Sequence, residues 1–139
     1  MTNAQWVFDR AIHLMDEQNE KTGDTMTQDT EEYHLRTLSI LNVLRGDLFP
    51  YSDTFVPGED GKRAVCPLIE NFKDPIYLDD VLCQTILPYG LAAHLLLGEN
   101  DALASFFNAR YTELVSTSAA KKTAEWESIE PYYGLCGMY

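Results

Sequence analysis

Residues 79–115 constrain the fold more strongly than any other stretch of the chain. Apolar side chains recur there every three or four residues, on both sides of the short polar turn Gly98-Glu99-Asn100. Two amphipathic helices joined by so short a turn bury their apolar faces against each other. The pattern predicts a helical hairpin whose helices start at Asp79 or Asp80 and at Asp101. The predicted inward face of the second helix carries Leu103, Phe106, Phe107, Arg110, Tyr111 and Leu114.

The first helix of this hairpin contains an unusual tripeptide, Pro88-Tyr89-Gly90. Proline lacks a backbone donor and crowds the carbonyl of Gln84, so we expect a kink or a helix that begins again near Pro88. Gly90 carries no side chain, which allows another helix to approach closely. We therefore interpret Pro88, Tyr89 and Gly90 as structural residues.

Two more helices precede the hairpin. Residues 4–18 place their apolar side chains on one face, and a second apolar stripe runs from Tyr33 almost to Pro50. The spacing of Asp29 and Glu32 is that of a capping box at the start of this second helix, and Gly46 is a candidate for its C-terminal cap. The fold class is therefore all-α, a small bundle of about four helices that makes up residues 1–122.

The segment from residue 50 to residue 78, called the arm below, has a different composition. It contains four of the six prolines, at positions 50, 57, 67 and 75, which excludes a long helix. Its turn signals are compatible with a short β-hairpin or with an extended arm, and loops of this length in compact domains are usually functional or disordered. The candidate partner-binding residues here are Phe55, Val56, Arg63 and Val65.

Residues 123–139 form a tail that is rich in aromatic side chains and follows a polar stretch from Ser116 to Lys122. Such a tail either closes over the core of its own subunit or docks onto another chain, and its position after a polar linker favours docking. The candidate partner-binding residues of the tail are Trp126, Ile129, Tyr132, Tyr133, Leu135 and Tyr139.

Charge and composition exclude several kinds of partner. The formal net charge of −12 argues against tight binding to nucleic acid or to anionic membranes, because both require clustered Lys and Arg. No apolar run approaches the ~18 residues needed to span a bilayer. An odd number of widely spaced cysteines, Cys66, Cys83 and Cys136, indicates reduced thiols in a protein made in the cytosol.

The sequence contains no recognisable catalytic motif. His13, His34 and His94 fall on three different predicted helices, without the spacing of a metal site, and no glycine-rich phosphate loop or nucleophile motif is present. The acidic pairs Glu31-Glu32 and Asp79-Asp80 lie at predicted helix starts, where capping explains them. We expect no metal, no cofactor and no enzymatic activity.

The hairpin resembles a helical hairpin found in small proteins of tailed phages and prophages, and the likeness extends to the second helix and to the tail. On these residues the chain resembles the head–tail connector, or adaptor, family of long-tailed phages. The residues that carry the resemblance are Ile86-Leu87-Pro88-Tyr89-Gly90-Leu91-Ala92-Ala93-His94-Leu95-Leu96-Leu97, Asn100-Asp101, Ala104 to Leu114, Tyr33-His34-Leu35-Arg36, Leu41-Asn42-Val43-Leu44 and Ile129 to Gly134.

The resemblance implies a structural protein of the virion neck, made in the host cytoplasm. Its subunits would form a homo-oligomeric ring, a dodecamer by analogy with the family, in contact with the portal protein and with tail, stopper or terminator proteins. DNA would pass through the lumen without specific binding, and the acidic charge of the chain is compatible with that. The alternative from another class is a small acidic inhibitor or DNA mimic that binds a host protein.

Overall fold

The computed structural model describes residues 1–56 and 58–121. This part of the chain contains five α-helices and no strand, apart from a single β-bridge between Asn3 and Pro75. The all-α prediction is confirmed. The helices are α1 (Ala4–Met15), α2 (Glu31–Leu48), α3 (Asp80–Thr85), α4 (Leu87–Leu96) and α5 (Asp101–Lys121), and single 3-10 turns cover Phe49–Tyr51 and Glu59–Gly61.

Helix α4 is the centre of the bundle and contacts each of the other four α-helices of the described part. Leu87, Leu91 and Leu95 are completely buried, and Ala92 is buried on another side of the same helix. A helix that is apolar on nearly all sides is stable only when it is surrounded. The remaining helices therefore pack around α4, and the core lies along its axis.

The third helix of the sequence prediction is two helices, α3 and α4, which meet at Ile86. Pro88 lies in the first turn of α4, where a missing N–H costs nothing because the helix has no acceptor for it there. The chain thus begins a new helix beside the proline, as its covalent structure predicts.

Gly90 lies where α2 and α5 both approach α4. A Cβ atom at this position would lie 2.9 Å from two ring atoms of Tyr111 and 3.0 Å from a methyl carbon of Leu44. Both separations are well inside ordinary van der Waals contact. The missing side chain therefore allows three helices to meet at one point.

The ends of α2 differ from the prediction. The capping box was wrong, because the residue before the helix is Thr30, whose hydroxyl donates to the Thr25 carbonyl and makes no bond to the helix. Gly46 was also wrong as a cap, since the helix continues to Leu48. Leu48 and Phe49 follow Gly46 and are buried, so helical backbone beyond the glycine is held by packing.

Helix α5 faces the core with fewer residues than its sequence indicates. Ala104 and Phe107 are buried, but Leu103 is 38% exposed and Phe106 is 60% exposed, so their assignment to the inward face was wrong. The physical reason is that α5 packs mainly on one neighbour, α4, which covers only a narrow stripe of its surface. The helix also continues to Lys121, through the stretch interpreted as a polar linker.

The first residues of the chain hold the start of α3. The backbone N–H and the hydroxyl of Thr2 both donate to Asp80, at 3.1 and 2.9 Å. These hydrogen bonds to the ionised carboxylate lower the pKa of Asp80. The Thr2 carbonyl in turn accepts from the Ile76 N–H, at 2.8 Å, so the N-terminus joins α3 to the end of the arm.

Candidate interaction surface on the arm

The returning limb of the arm is fixed to α2 by the amide side chain of Asn42. Its Nδ2 donates to the Ile69 carbonyl at 3.0 Å, and its Oδ1 accepts from the Ile69 N–H at 2.7 Å. One side chain thus satisfies both backbone groups of a residue that is only 5% exposed. Since buried backbone groups need partners, this pair of bonds sets the position of the limb on the helix.

Arg45 holds the same limb one turn further along α2. Only 1% of its surface is exposed, and its Nη1 donates to the Pro67 carbonyl and contacts Cys66 Sγ at 2.9 Å. The guanidinium carbon also lies 5.9 Å from the ring centroids of Phe49 and Tyr77. These contacts place a buried cation against arm backbone and aromatic faces, an arrangement that suits guanidinium better than ammonium.

The two roots of the arm are joined to each other by a short polar network. The Asp79 N–H donates to Ser52 Oγ at 3.2 Å, and the Asp79 carboxylate accepts from the Asp53 N–H at 3.0 Å. Thr54 Oγ1 donates to the Tyr77 carbonyl at 2.6 Å. Asp79 does precede α3, but its side chain makes no cap bond and instead closes the base of the arm.

The tip of the arm reverses direction at Gly58. A Cβ atom there would overlap the Lys62 carbonyl oxygen and lie 2.8 Å from the Arg63 carbonyl oxygen. Asp60 and Gly61 follow with positive φ angles of 53° and 75°. The turn therefore depends on glycine. Of the two predicted forms, the structure has the extended arm, since the described residues of the segment contain no ladder of β-hairpin hydrogen bonds.

Between its roots the arm presents apolar side chains to solvent. Val56 is 71% exposed, Val65 is 81% exposed and Leu68 is 72% exposed, whereas Phe55 is half-buried with its ring 5.3 Å from that of Phe49. Arg63 is exposed as well. The structure thus brings Arg63 and Val65 together on the returning limb and turns Phe55 towards the bundle. Sequence reasoning missed Leu68, although its position next to the inward Ile69 in extended backbone was a usable signal.

A groove lies beside the base of the arm and has a volume of about 400 Å³. Its apolar side chains include Leu82 and Ile86, which are buried, and Val81, which is 69% exposed. Two carboxylates, Asp53 and Asp79, stand at its arm side. The full lining is Tyr51, Asp53, Asp79, Val81, Leu82, Thr85, Ile86, Leu114, Thr117 and Ser118.

Within residues 1–56 and 58–121, no three His, Cys, Asp or Glu side chains are grouped so that they could hold a metal ion. His34 is stacked on Phe72, with ring centroids 3.8 Å apart and an interplanar angle of 8°, and its edge meets Phe8. This histidine therefore helps to hold the end of the arm against α1 and α2.

In the same described ranges, no helix is long and apolar enough to cross a membrane.

The two described cysteines differ sharply in environment, which gives a testable difference in reactivity. Cys83 is completely buried, and burial, followed by the charges of Asp80 and Asp79, raises the pKa of its thiol to about 12. Cys66 is half-buried on the arm. Since the thiolate is the reactive form, iodoacetamide at pH 8 is expected to label Cys66 within minutes and Cys83 only after unfolding. Peptide mass spectrometry separates the sites, and rapid labelling of Cys83 in the folded protein would contradict its placement.

The burial of Cys83 also makes the stability of the protein depend on pH. A thiol whose pKa is raised by folding stays neutral in the folded chain while the unfolded chain ionises. The contribution of Cys83 to stability is thus fully present below about pH 9, the ordinary value for the thiol, and is lost as the pH rises towards the folded pKa of about 12. A Cys83→Ala variant should therefore show a flatter loss of stability between pH 9 and 11 in urea titrations, on the order of 1 kcal/mol.

The predicted docking tail, residues 123–139, lies outside the described residues, and so do its candidates Trp126, Ile129, Tyr132, Tyr133, Leu135 and Tyr139. Comparison with known proteins adds no relative on which a site can be placed. No family model matches the chain, and neither a curated protein nor a solved structure matches it.

Proposed function

We propose that this protein is a structural, non-enzymatic connector of the virion neck, whose copies form a ring between portal and tail. The resemblance of residues 86–114 to the adaptor hairpin suggests the class of protein. The observation that carries the proposal is the arm, a segment anchored at both roots that nevertheless presents Val56, Val65 and Leu68 to solvent. The proposed partners are further copies of this chain, the portal protein and a tail, stopper or terminator protein.

Anchoring is what makes the exposure of the arm informative. Single exposed apolar residues are common on protein surfaces and need no explanation. Here, however, Asn42 and Arg45 commit three hydrogen-bonding groups to holding the limb that displays Val65 and Leu68. Burial of each of these side chains under another chain contributes roughly 1.5–3 kcal/mol to the free energy of binding. The limb loses little conformational entropy on binding because it is already ordered.

Charge supports the same role. The net charge of −12 makes each subunit repel DNA phosphates, so a lumen formed by such subunits lets DNA pass without specific binding. A ring also needs two different surfaces on each subunit, because a head-to-tail contact is the one that repeats around a closed circle. The arm and the groove are two such surfaces on one chain.

The acidic inhibitor or DNA mimic remains the second candidate, and one feature favours it. Glu99, Asp29 and Asp16 lie near enough to Glu17 that their charges, after burial, raise the pKa of its carboxyl group. Acidic groups gathered at one end of the bundle are the kind of surface that a basic site on a host protein attracts.

Affinity purification during phage assembly separates these candidates. The tagged chain is expected to recover portal protein and tail components after mild crosslinking. A Glu17→Gln/Glu99→Gln double variant serves as a control, because it weakens the acidic cluster without touching the arm. Recovery of a host nuclease or repressor in place of the portal, with loss of binding in that variant, would replace the connector by the inhibitor.

A further inference from the structure

We propose that the returning limb of the arm, residues 62–68, docks in the groove of a second copy of the chain. The inference rests on the proposed ring and names the contact that closes it. The limb carries Lys62 and Arg63 followed by the exposed side chains of Val65 and Leu68. The groove offers an acidic side for the basic residues of the limb and an apolar floor for its apolar residues.

The described part of the arm does not fill the groove of its own subunit. None of residues 54–56 and 58–78 lines the groove, although Tyr51, Asp53 and Asp79 flank that stretch on both sides. Asn42 and Arg45 hold the returning limb against α2, whereas the groove opens between α3 and α5. An arm that enters this groove therefore comes from another copy.

Charge decides which limb enters. Lys62 and Arg63 are exposed, and neither forms a salt bridge within the described ranges 1–56 and 58–121, where the ion pairs are Arg36 with Glu32 and Arg110 with Glu113. The outgoing side of the tip carries Glu59 and Asp60 and would be repelled by the carboxylates of the groove. The returning limb is the attractive one.

Because the copies repel each other, the match between the basic limb and the acidic side of the groove becomes more important. Each chain has a formal charge of −12, so two copies repel each other over most of their surfaces. Placing Lys62 and Arg63 against Asp53 and Asp79 replaces repulsion by attraction at one place, while Val65 enters the floor formed by Leu82 and Ile86. The contact joins two different surfaces, so it propagates from subunit to subunit and gives a ring when the rotation between neighbours closes.

Charge reversal on each side of the contact provides the experiment. Arg63→Glu makes the limb more acidic, and Asp53→Arg makes the groove more basic. The Asp53 substitution leaves in place the backbone N–H that donates to Asp79. Wild-type protein is expected to self-associate in sedimentation equilibrium at low salt, and each variant alone to associate at least about tenfold more weakly, as expected for a lost close charge pair.

Mixing the two variants is the decisive step. In a 1:1 mixture the reversed limb of one variant meets the reversed groove of the other, and the unchanged limb and groove also match, so association is expected to return. Lys21→Glu is the matched control, because it changes the same charge on an exposed loop distant in sequence from both surfaces. It should associate like the wild type.

The outcomes separate this contact from the proposed function. A mixture that stays dissociated while the wild type associates would overturn the limb-in-groove contact, as would a wild type that stays monomeric at millimolar concentration. Neither result would affect recovery of the portal, which tests the connector role. Carbodiimide coupling of Lys62 to Asp53 between isotopically heavy and light copies is expected as a direct signature. Coupling confined to single chains would also contradict docking between copies.

Discussion

Replacing Gly90 by leucine is expected to lower the free energy of unfolding by about 3 kcal/mol, the upper end of the usual cost of overpacking. The reason is that α4 meets Tyr111 of α5 and Leu44 of α2 at this point, and even a Cβ atom would approach their side chains to 2.9 and 3.0 Å. A larger side chain must push α5 outwards. Urea denaturation followed by far-UV circular dichroism measures the change.

Gly46 gives the matched control, because it is also a helical glycine but is exposed on α2, where an added Cβ atom would meet no other atom within 4 Å. Gly46→Leu should be neutral or stabilising by up to about 1 kcal/mol, from helix propensity alone. Equal destabilisation by the two substitutions would mean that close packing at Gly90 is not the cause.

Replacing Asn42 by leucine is expected to release the arm and to cost about 3 kcal/mol of stability. The substitution removes both hydrogen bonds to the backbone of Ile69 and leaves two buried polar groups without a partner. A released limb opens more often, so trypsin should cleave after Lys62 or Arg63 on the order of tenfold faster for each ~1.4 kcal/mol of lost local stability.

Ser39→Leu is the control for this experiment, because Ser39 is exposed on the same helix and forms none of the hydrogen bonds to Ile69. It should leave both the stability and the cleavage rate near their wild-type values. If Asn42→Leu lowers stability but leaves cleavage in the arm unchanged, Asn42 supports the bundle without holding the arm.

The helical core was predictable because its signals are local. The repeats that end in the turn Gly98-Glu99-Asn100 predicted the hairpin, and Pro88 predicted the place where α4 begins. Local signals placed the starts of α3 and α5 correctly but failed for the capping of α2 and α3, because Thr30 and Asp79 use their side chains in contacts with neighbouring or distant loops. Competition between such contacts and capping cannot be resolved from spacing alone.

The surface around the arm depends on contacts between distant parts of the chain, which is why less of it was predictable. Asn42 lies 27 residues from Ile69, and the groove is assembled from the base of the arm, α3 and α5. Besides the position of Leu68, Arg45 gave a usable signal, since it is a cation within the apolar stripe of α2, beside Leu41, Leu44 and Leu48. Val56 and Val65, two of the candidate partner-binding residues, are exposed in the structure, whereas Phe55 packs its ring 5.3 Å from that of Phe49.

The most direct test of the connector role is electron microscopy of the purified chain mixed with the portal protein encoded by the same genome. We expect class averages with a ring of this protein seated coaxially on the portal, and the Arg63→Glu variant should form that ring poorly. Monomers in the absence of the portal are compatible with the proposal. A mixture in which the portal remains bare and the chain stays monomeric would contradict it.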